Sequence, residues 1–128
     1  MDLNFYKCIH CANLFITAIA SGAVPACCGD TTQLLVAGST DAAVEKHVPV
    51  IERDDDGNHI TVKVGAVPHP MTEEHHIDFI VLAYGERFDF VKVDGETEAA
   101  TRFCIRDNTI PLTAYAYCNL HGLWKVDV

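Results

Sequence analysis

From His47 to the C-terminus, turn residues break this chain at intervals of about ten residues, and no segment of useful length repeats with a helical period. The breaks are Asp54-Asp55-Asp56-Gly57-Asn58, Gly85-Glu86, Asp94-Gly95 and Asp107-Asn108. Between and around them run Val48 to Arg53, Ile60 to Val64, Ile77 to Tyr84, Arg87 to Val93, Ala99 to Arg106, Thr113 to Cys118 and Leu123 to Val128. Ile60, Val62 and Val64 alternate with Thr61 and Lys63, the mark of a half-buried strand. Seven short strands at this spacing predict an all-β chain folded as an antiparallel β-sandwich.

Residues 1–37 read as a small appendage to that sandwich. Cys8-Ile9-His10-Cys11, a gap of fifteen residues and then Cys27-Cys28 put four thiols in a segment too short for a core of its own. A bound metal is the natural staple for such a piece. Phe15 to Ile19 and Gln33 to Val36 read as short strands, with Ser21-Gly22 and Gly29-Asp30 as turns. Four cysteines hold zinc or iron, and ligand type alone leaves both open. Residues 38–44 are small and polar and read as a linker, leaving 45–128 for the sandwich domain.

About half of the 128 residues are apolar (49%), enough for a real core, and the formal net charge is −9. That charge argues against nucleic acid or an anionic membrane surface as partner, since both call for basic patches. Met1-Asp2-Leu3-Asn4 is acidic and polar, so no secretory leader is expected. Val24-Pro25-Ala26-Cys27 faintly resembles a lipoprotein cleavage site, but cutting there would discard Cys8 and Cys11 and interrupt a strand pattern. No apolar run approaches the ~20 residues of a membrane helix. A reducing cytoplasm is the expected home, where clustered cysteines bind metal rather than form disulfides.

A second set of metal donors gathers around Cys118-Asn119-Leu120-His121-Gly122. A thiolate and an imidazole three residues apart reach one ion where a strand ends and the chain turns, and Gly122 supports that turn by accepting positive φ. Upstream lie His47 in Glu45-Lys46-His47-Val48-Pro49, His69 between Pro68 and Pro70, and His75. The two prolines hold the backbone at His69 extended and aim its ring. Four imidazoles and a thiolate exceed the four ligands of a structural zinc and suit a redox iron with an open position. Asp54, Asp56 and Asn58 mimic the start of a calcium loop, but His59 stands where Gly is required and Gly65 where a bidentate Glu belongs, so they read as a solvated hairpin turn. Cys104 is expected to be a buried, inert thiol, and His10 and His59 surface histidines.

In order, EKHVPVIE, VGAVPHPM, HHIDFI and CNLHGLWK make the chain resemble the superoxide reductases, also called desulfoferrodoxins and neelaredoxins. With Cys8, Cys11, Cys27 and Cys28, the resemblance is to the two-iron desulfoferrodoxin form and runs from about Phe5 to Lys125. It implies an immunoglobulin-like sandwich behind a desulforedoxin-like iron domain that holds its metal on the four cysteines. It also implies a second iron on His47, His69, His75, His121 and Cys118, the thiolate axial. His75 is chosen over His76 by its offset from His69 in the family, which leaves His76 outward or behind the ligands. Glu45 and Lys46 are implied near the open face, the Glu able to occupy it and the Lys to attract an anion; adjacent Glu-Lys pairs are otherwise solvated. The family commonly has Gly where Ala12 stands, so a positive φ there would be strained. The implied activity is reduction of superoxide to hydrogen peroxide, with a rubredoxin-like donor and a homodimer. Readings from other classes are a small iron electron carrier without superoxide chemistry and a zinc-stapled binding module.

Overall fold

The computed structural model describes residues 3–128 and is built from antiparallel sheets. Contacts within the chain divide it into two compact units, one ending at Val36 and the other running over Ala37–Val128.

In the first unit, β1 (Asn4–Lys7) is the middle of a three-stranded sheet, flanked by β2 (Leu14–Thr17) and later by β5 (Gln33–Leu34). The sequence reading missed β1, because Phe5 and Tyr6 are both buried (1% and 6% exposed) and leave no alternation. Between β2 and β5 a two-stranded ribbon pairs β3 (Ala26–Cys27) with β4 (Asp30–Thr31). Its turn residues Cys28 and Gly29 both have positive φ, +54° and +76°. That is the signature of the two-residue hairpin whose twist matches its strands.

The second unit opens with one helical turn, α1 (Val44–His47), that no periodicity could reveal in four residues. Three strands follow the expected spacing in one sheet: β6 (Pro49–Arg53), β7 (His59–Val64) and, later, β10 (Ala100–Cys104), in the order β10-β7-β6. The other sheet holds β8 (Ile77–Tyr84), β9 (Arg87–Lys92), β11 (Leu112–Cys118) and β12 (Gly122–Asp127), in the order β12-β11-β8-β9. Three strands against four, all antiparallel, make an immunoglobulin-like sandwich. Alternate residues of β7 (Ile60, Val62, Val64) meet Ile80, Leu82, Ala114 and Ala116 in the core. Burying such side chains stabilises by roughly 1.5–3 kcal/mol each. β8 is buried on both faces, since Phe79 on its outer side stacks against Phe90 (4.8 Å) and Tyr117 (5.5 Å).

The acidic segment 54–58 is the β6–β7 hairpin turn. Asp56 accepts the Asn58 and His59 N–H groups (2.8 and 3.0 Å), and Arg102 grips Asp54 through Nε and a terminal nitrogen (3.0 and 2.8 Å). Cys104 corrects an expectation: it is exposed rather than buried. Alternation along β10 turns Phe103 inward and the next residue out.

Candidate metal centres

The four N-terminal cysteines converge through two tight turns. After β1 the chain folds back, with Cys8 N–H donating to the Asn13 carbonyl (2.8 Å) and Ala12 N–H to the Cys8 carbonyl (3.2 Å). This points the N–H groups of His10 and Cys11 at the Cys8 sulfur, both at 3.4 Å. Adjacent residues on a strand face opposite ways, but the left-handed φ of Cys28 swings its side chain back beside that of Cys27. Sulfurs of Cys11 and Cys27 lie 3.7 Å apart and those of Cys27 and Cys28 3.9 Å apart. All four lie within 4.8 Å of one another. The Cys11 and His10 N–H groups hold the Cys8 thiol down at about 6, whereas Cys28, its thiol hydrogen-bonded to the Cys11 sulfur, is pushed up to about 12. The Cys8 thiolate forms readily, whereas Cys27 and Cys28, whose thiols are raised, need a cation beside them.

Ala12 has φ +64° at this knuckle, the strained conformation that the sequence made conditional. Ala12→Gly is therefore expected to stabilise the small unit by about 1 kcal/mol. The denaturant midpoint of its four-sulfur metal absorbance measures this, and an unchanged or lower midpoint would contradict it.

In the second unit, each histidine of the larger set is placed by a different backbone device. His47 ends α1 and is buried; its Nδ1–H donates to the Ala43 carbonyl at 2.7 Å. His69 is also buried, and its Nδ1–H donates to the Pro70 carbonyl at 2.7 Å. A carbonyl only accepts, so both rings carry their proton on Nδ1 and present a bare Nε2. The two segments are docked by Val67 N–H on the Glu45 carbonyl (2.9 Å) and Gly65 N–H on the Val48 carbonyl (3.1 Å). At Gly65, φ +87°, a Cβ would lie 2.8 Å from Lys46 Cα, so the approach requires glycine.

Cys118 closes β11 at a register shift in its pairing with β8, where Tyr117 faces Phe79 and Cys118 faces Ile77. Such bulges re-aim side chains. Asn119, Leu120 and His121 form a three-residue hairpin loop onto Gly122, φ +76°. The Leu120 and His121 N–H groups reach the Cys118 sulfur and oppose the burial that raises its thiol.

The four imidazoles form a closed square. Ring centroids of neighbours are 4.7 Å (His47–His69), 4.6 Å (His69–His75), 5.0 Å (His75–His121) and 5.0 Å (His121–His47), with neighbouring planes 78° to 86° apart. Donor atoms of His47, His75, His121 and Cys118 all lie within 4.8 Å of one another. His69 joins at the His47 edge, Nε2 to Nε2 at 3.2 Å. His121 Nδ1 lies 3.1 Å from His47 Nε2 and 3.9 Å from the Cys118 sulfur.

This donor set passes a direct test for a cation. The bare Nε2 atoms of His47 and His69 face each other at 3.2 Å with no proton to share, a repulsive contact unless a positive ion sits between them. His75 Nε2 is buried with no hydrogen-bond partner. Donors 3.1 and 3.2 Å apart, if they subtended the 90° of a square set, would lie about 2.2 Å from a common centre, near a metal–nitrogen bond length. Burial lowers His47, His69 (to about 4) and His75, so these rings are neutral at neutral pH, the form in which an imidazole can bind a metal.

His76 turns away from this group: its Nε2 meets Asp78 at 2.8 Å and its Nδ1 the Thr72 carbonyl at 2.9 Å. His10 is exposed beside Asp30 at 3.4 Å, and His59 is half-buried next to Asp56. Glu45 and Lys46 are exposed on α1, one and two residues before His47, and neither side chain has a hydrogen bond or ion pair among the described residues. Sequence reasoning gave no role to the Asn119 side chain. Its Oδ1 accepts the His76 N–H (2.9 Å) and its Nδ2 donates to the Glu74 carbonyl (3.0 Å), clamping the His75 segment to the Cys118 turn. Adjacency to Cys118 was its only sequence signal.

Comparison with known proteins bears on both centres. The sequence model of the Desulfoferrodoxin family matches residues 39–127. Over 126 residues the chain is 44% identical to a desulfoferrodoxin of Nitratidesulfovibrio vulgaris, covering 97% of this chain and 95% of that one. A superoxide reductase of Pyrococcus furiosus is 37% identical over 108 residues, 66% of this chain and 87% of that one. Among solved structures, the superoxide reductase from Treponema pallidum superposes with a TM-score of 0.80 at 30% identity, covering 98% of this chain and 97% of that one.

Proposed function

The chain belongs to the desulfoferrodoxin family, and from that we propose that it reduces superoxide to hydrogen peroxide, consuming one electron and two protons per anion. The family carries two iron sites, and the chain has a thiolate set and an imidazole–thiolate set to hold them. In this reading His47, His69, His75, His121 and Cys118 hold the reactive iron, and Cys8, Cys11, Cys27 and Cys28 hold the other. The supporting observation is the pair of bare Nε2 atoms on His47 and His69, which calls for a cation at the centre of the square. Iron held by these residues would supply the one electron per superoxide, and the Cys118 thiolate would favour that donation.

The chain's own residues do the rest. The backbone carbonyls of Ala43 and Pro70 hold two rings in the ligating tautomer. The Leu120 and His121 N–H groups withdraw charge from the Cys118 sulfur and so tune its donation. Lys46 draws the substrate in and helps deliver protons, while the Glu45 carboxylate competes with substrate for the open face. The domains read as 1–37, a four-cysteine iron domain, then the 38–44 linker and the 45–128 reductase domain. A rubredoxin-like donor, a homodimer and a cytoplasmic setting complete the proposal. No helix of the described residues is long and apolar enough to cross a membrane.

Lys46 offers a test that the metal ligands do not. A chain of net charge −9 repels superoxide at long range. One ammonium taken at about 6 Å from the anion is worth roughly 0.7 to 3 kcal/mol as the effective dielectric falls from ~80 to ~20. Lys46→Ala is thus expected to slow the second-order reaction with superoxide by about 3- to 100-fold, leaving ligand-field bands unchanged. Added salt screens the long-range repulsion as well as the local attraction, so the rate should fall more, or rise less, with salt in the parent than in the variant, because only the parent has the Lys46 attraction to lose. Pulse radiolysis over a salt series decides it; equal rates with parallel salt slopes return Lys46 to the solvated surface.

A further inference from the structure

Trp124, the chain's single tryptophan, touches two ligand segments at once. Its ring stacks on His47 with centroids 5.0 Å apart and planes 29° apart. Its Nε1–H donates to the His121 carbonyl at 3.0 Å. The side chain is buried, 4% exposed, on β12 opposite Ala116 of β11.

The histidines differ in how their rings are held. His47 and His69 each donate Nδ1–H to a carbonyl. His121 turns its Nδ1 toward His47 and Cys118, and among the described residues no hydrogen bond holds its other nitrogen. Its placement therefore depends on the backbone of the hairpin loop, and the indole N–H grips that loop's carbonyl. The same indole lies flat against His47, whose plane stands 86° from that of His121.

We propose that Trp124 is a positioning residue of the imidazole–thiolate centre. It sets the angle between His47 and His121 by stacking on one and bonding the carbonyl of the other. The inference rests on the reading that this centre binds metal. Partners of this kind orient ligands, and their loss typically costs 10–100-fold in metal affinity or activity. A tryptophan that merely filled the core would change the melting temperature and leave the bound ion's surroundings alone.

The test compares the parent with Trp124→Phe, which keeps a stacking ring but loses the donor, and Trp124→Leu, which loses both. Each full-length protein is loaded anaerobically with ferrous iron for release to a chelator, and with cobalt(II) for its ligand-field spectrum. Release from the histidine centre is expected to be about 10- to 100-fold faster in Trp124→Leu. Cobalt bands shift in both variants, and release from the four-cysteine site stays at the parent rate. Unshifted bands with release within about twofold of the parent would overturn the proposal, whatever the melting temperatures do. Should Trp124→Leu not fold, the same comparison on Trp124→Phe decides. A parent whose histidine centre takes up neither ion would instead sink the metal reading itself.

Discussion

Cys118→Ser is expected to abolish superoxide reduction even in protein that retains iron at the histidine centre. Cys118 is fully buried at the end of β11, its sulfur 3.9 Å from His121 Nδ1 and met by the Leu120 and His121 N–H groups. Serine fits that space and accepts the same N–H groups, so the fold and the histidine square survive. Its oxygen is harder and far less electron-donating than a thiolate, which removes the donation on which reduction of a bound anion depends. The rate loss should exceed the roughly 100-fold that loss of an outer partner can cost. Rapid mixing of the reduced, iron-loaded variant with superoxide measures it. A variant that holds iron and reacts at near the parent rate would show that Cys118 is not the donating ligand.

Cys8→Ser is expected to strip the iron from the N-terminal unit, lowering iron from two to one per chain, and to loosen residues up to Val36. The described part of that unit buries Leu3, Phe5, Tyr6, Cys8 and Thr32 and little else, so its order depends on the bound ion. Cys8 also ionises readily, because two backbone N–H groups point at its sulfur. The two donor sets share no residue and lie in separate compact units, so the sandwich and its own iron should persist. Iron analysis, hydrogen exchange of the N-terminal amides and the superoxide rate are the readouts. Superoxide reduction collapsing together with the first iron would show that the centres are not separable.

Much of the sandwich could be read in advance because alternation survives wherever one strand face meets the core, as in Ile60, Val62 and Val64. Where both faces are covered only a long apolar run such as β8 remains legible, and the four-residue β1, with Phe5 and Tyr6 adjacent and buried, passed unseen. A single turn such as α1 is shorter than any period. At the sites, residue types and family motifs pointed to candidate donors that the fold brings together, but not to how they are held. The Ala43 and Pro70 carbonyls that set two tautomers are main-chain atoms, invisible to a pattern of side chains. Asn119 and Trp124 act through contacts to segments distant in sequence, the stretch before β8 and α1, that exist only in the folded chain. Cys104 was misjudged because strand membership was read without its phase: Phe103 takes the inward position and leaves Cys104 outside.

Reduction of superoxide, its dismutation and mere storage of an electron differ in the oxygen and peroxide they release. Potassium superoxide added anaerobically to excess reduced protein, with oxygen and peroxide both measured, tests for reduction most directly. Spontaneous or catalysed dismutation yields one oxygen and one peroxide for every two superoxide anions. Reduction by this protein is expected to give one peroxide for each anion and no oxygen, with one electron lost from the histidine centre per anion. Oxygen evolved in step with peroxide, or superoxide decaying no faster than in buffer, would contradict it.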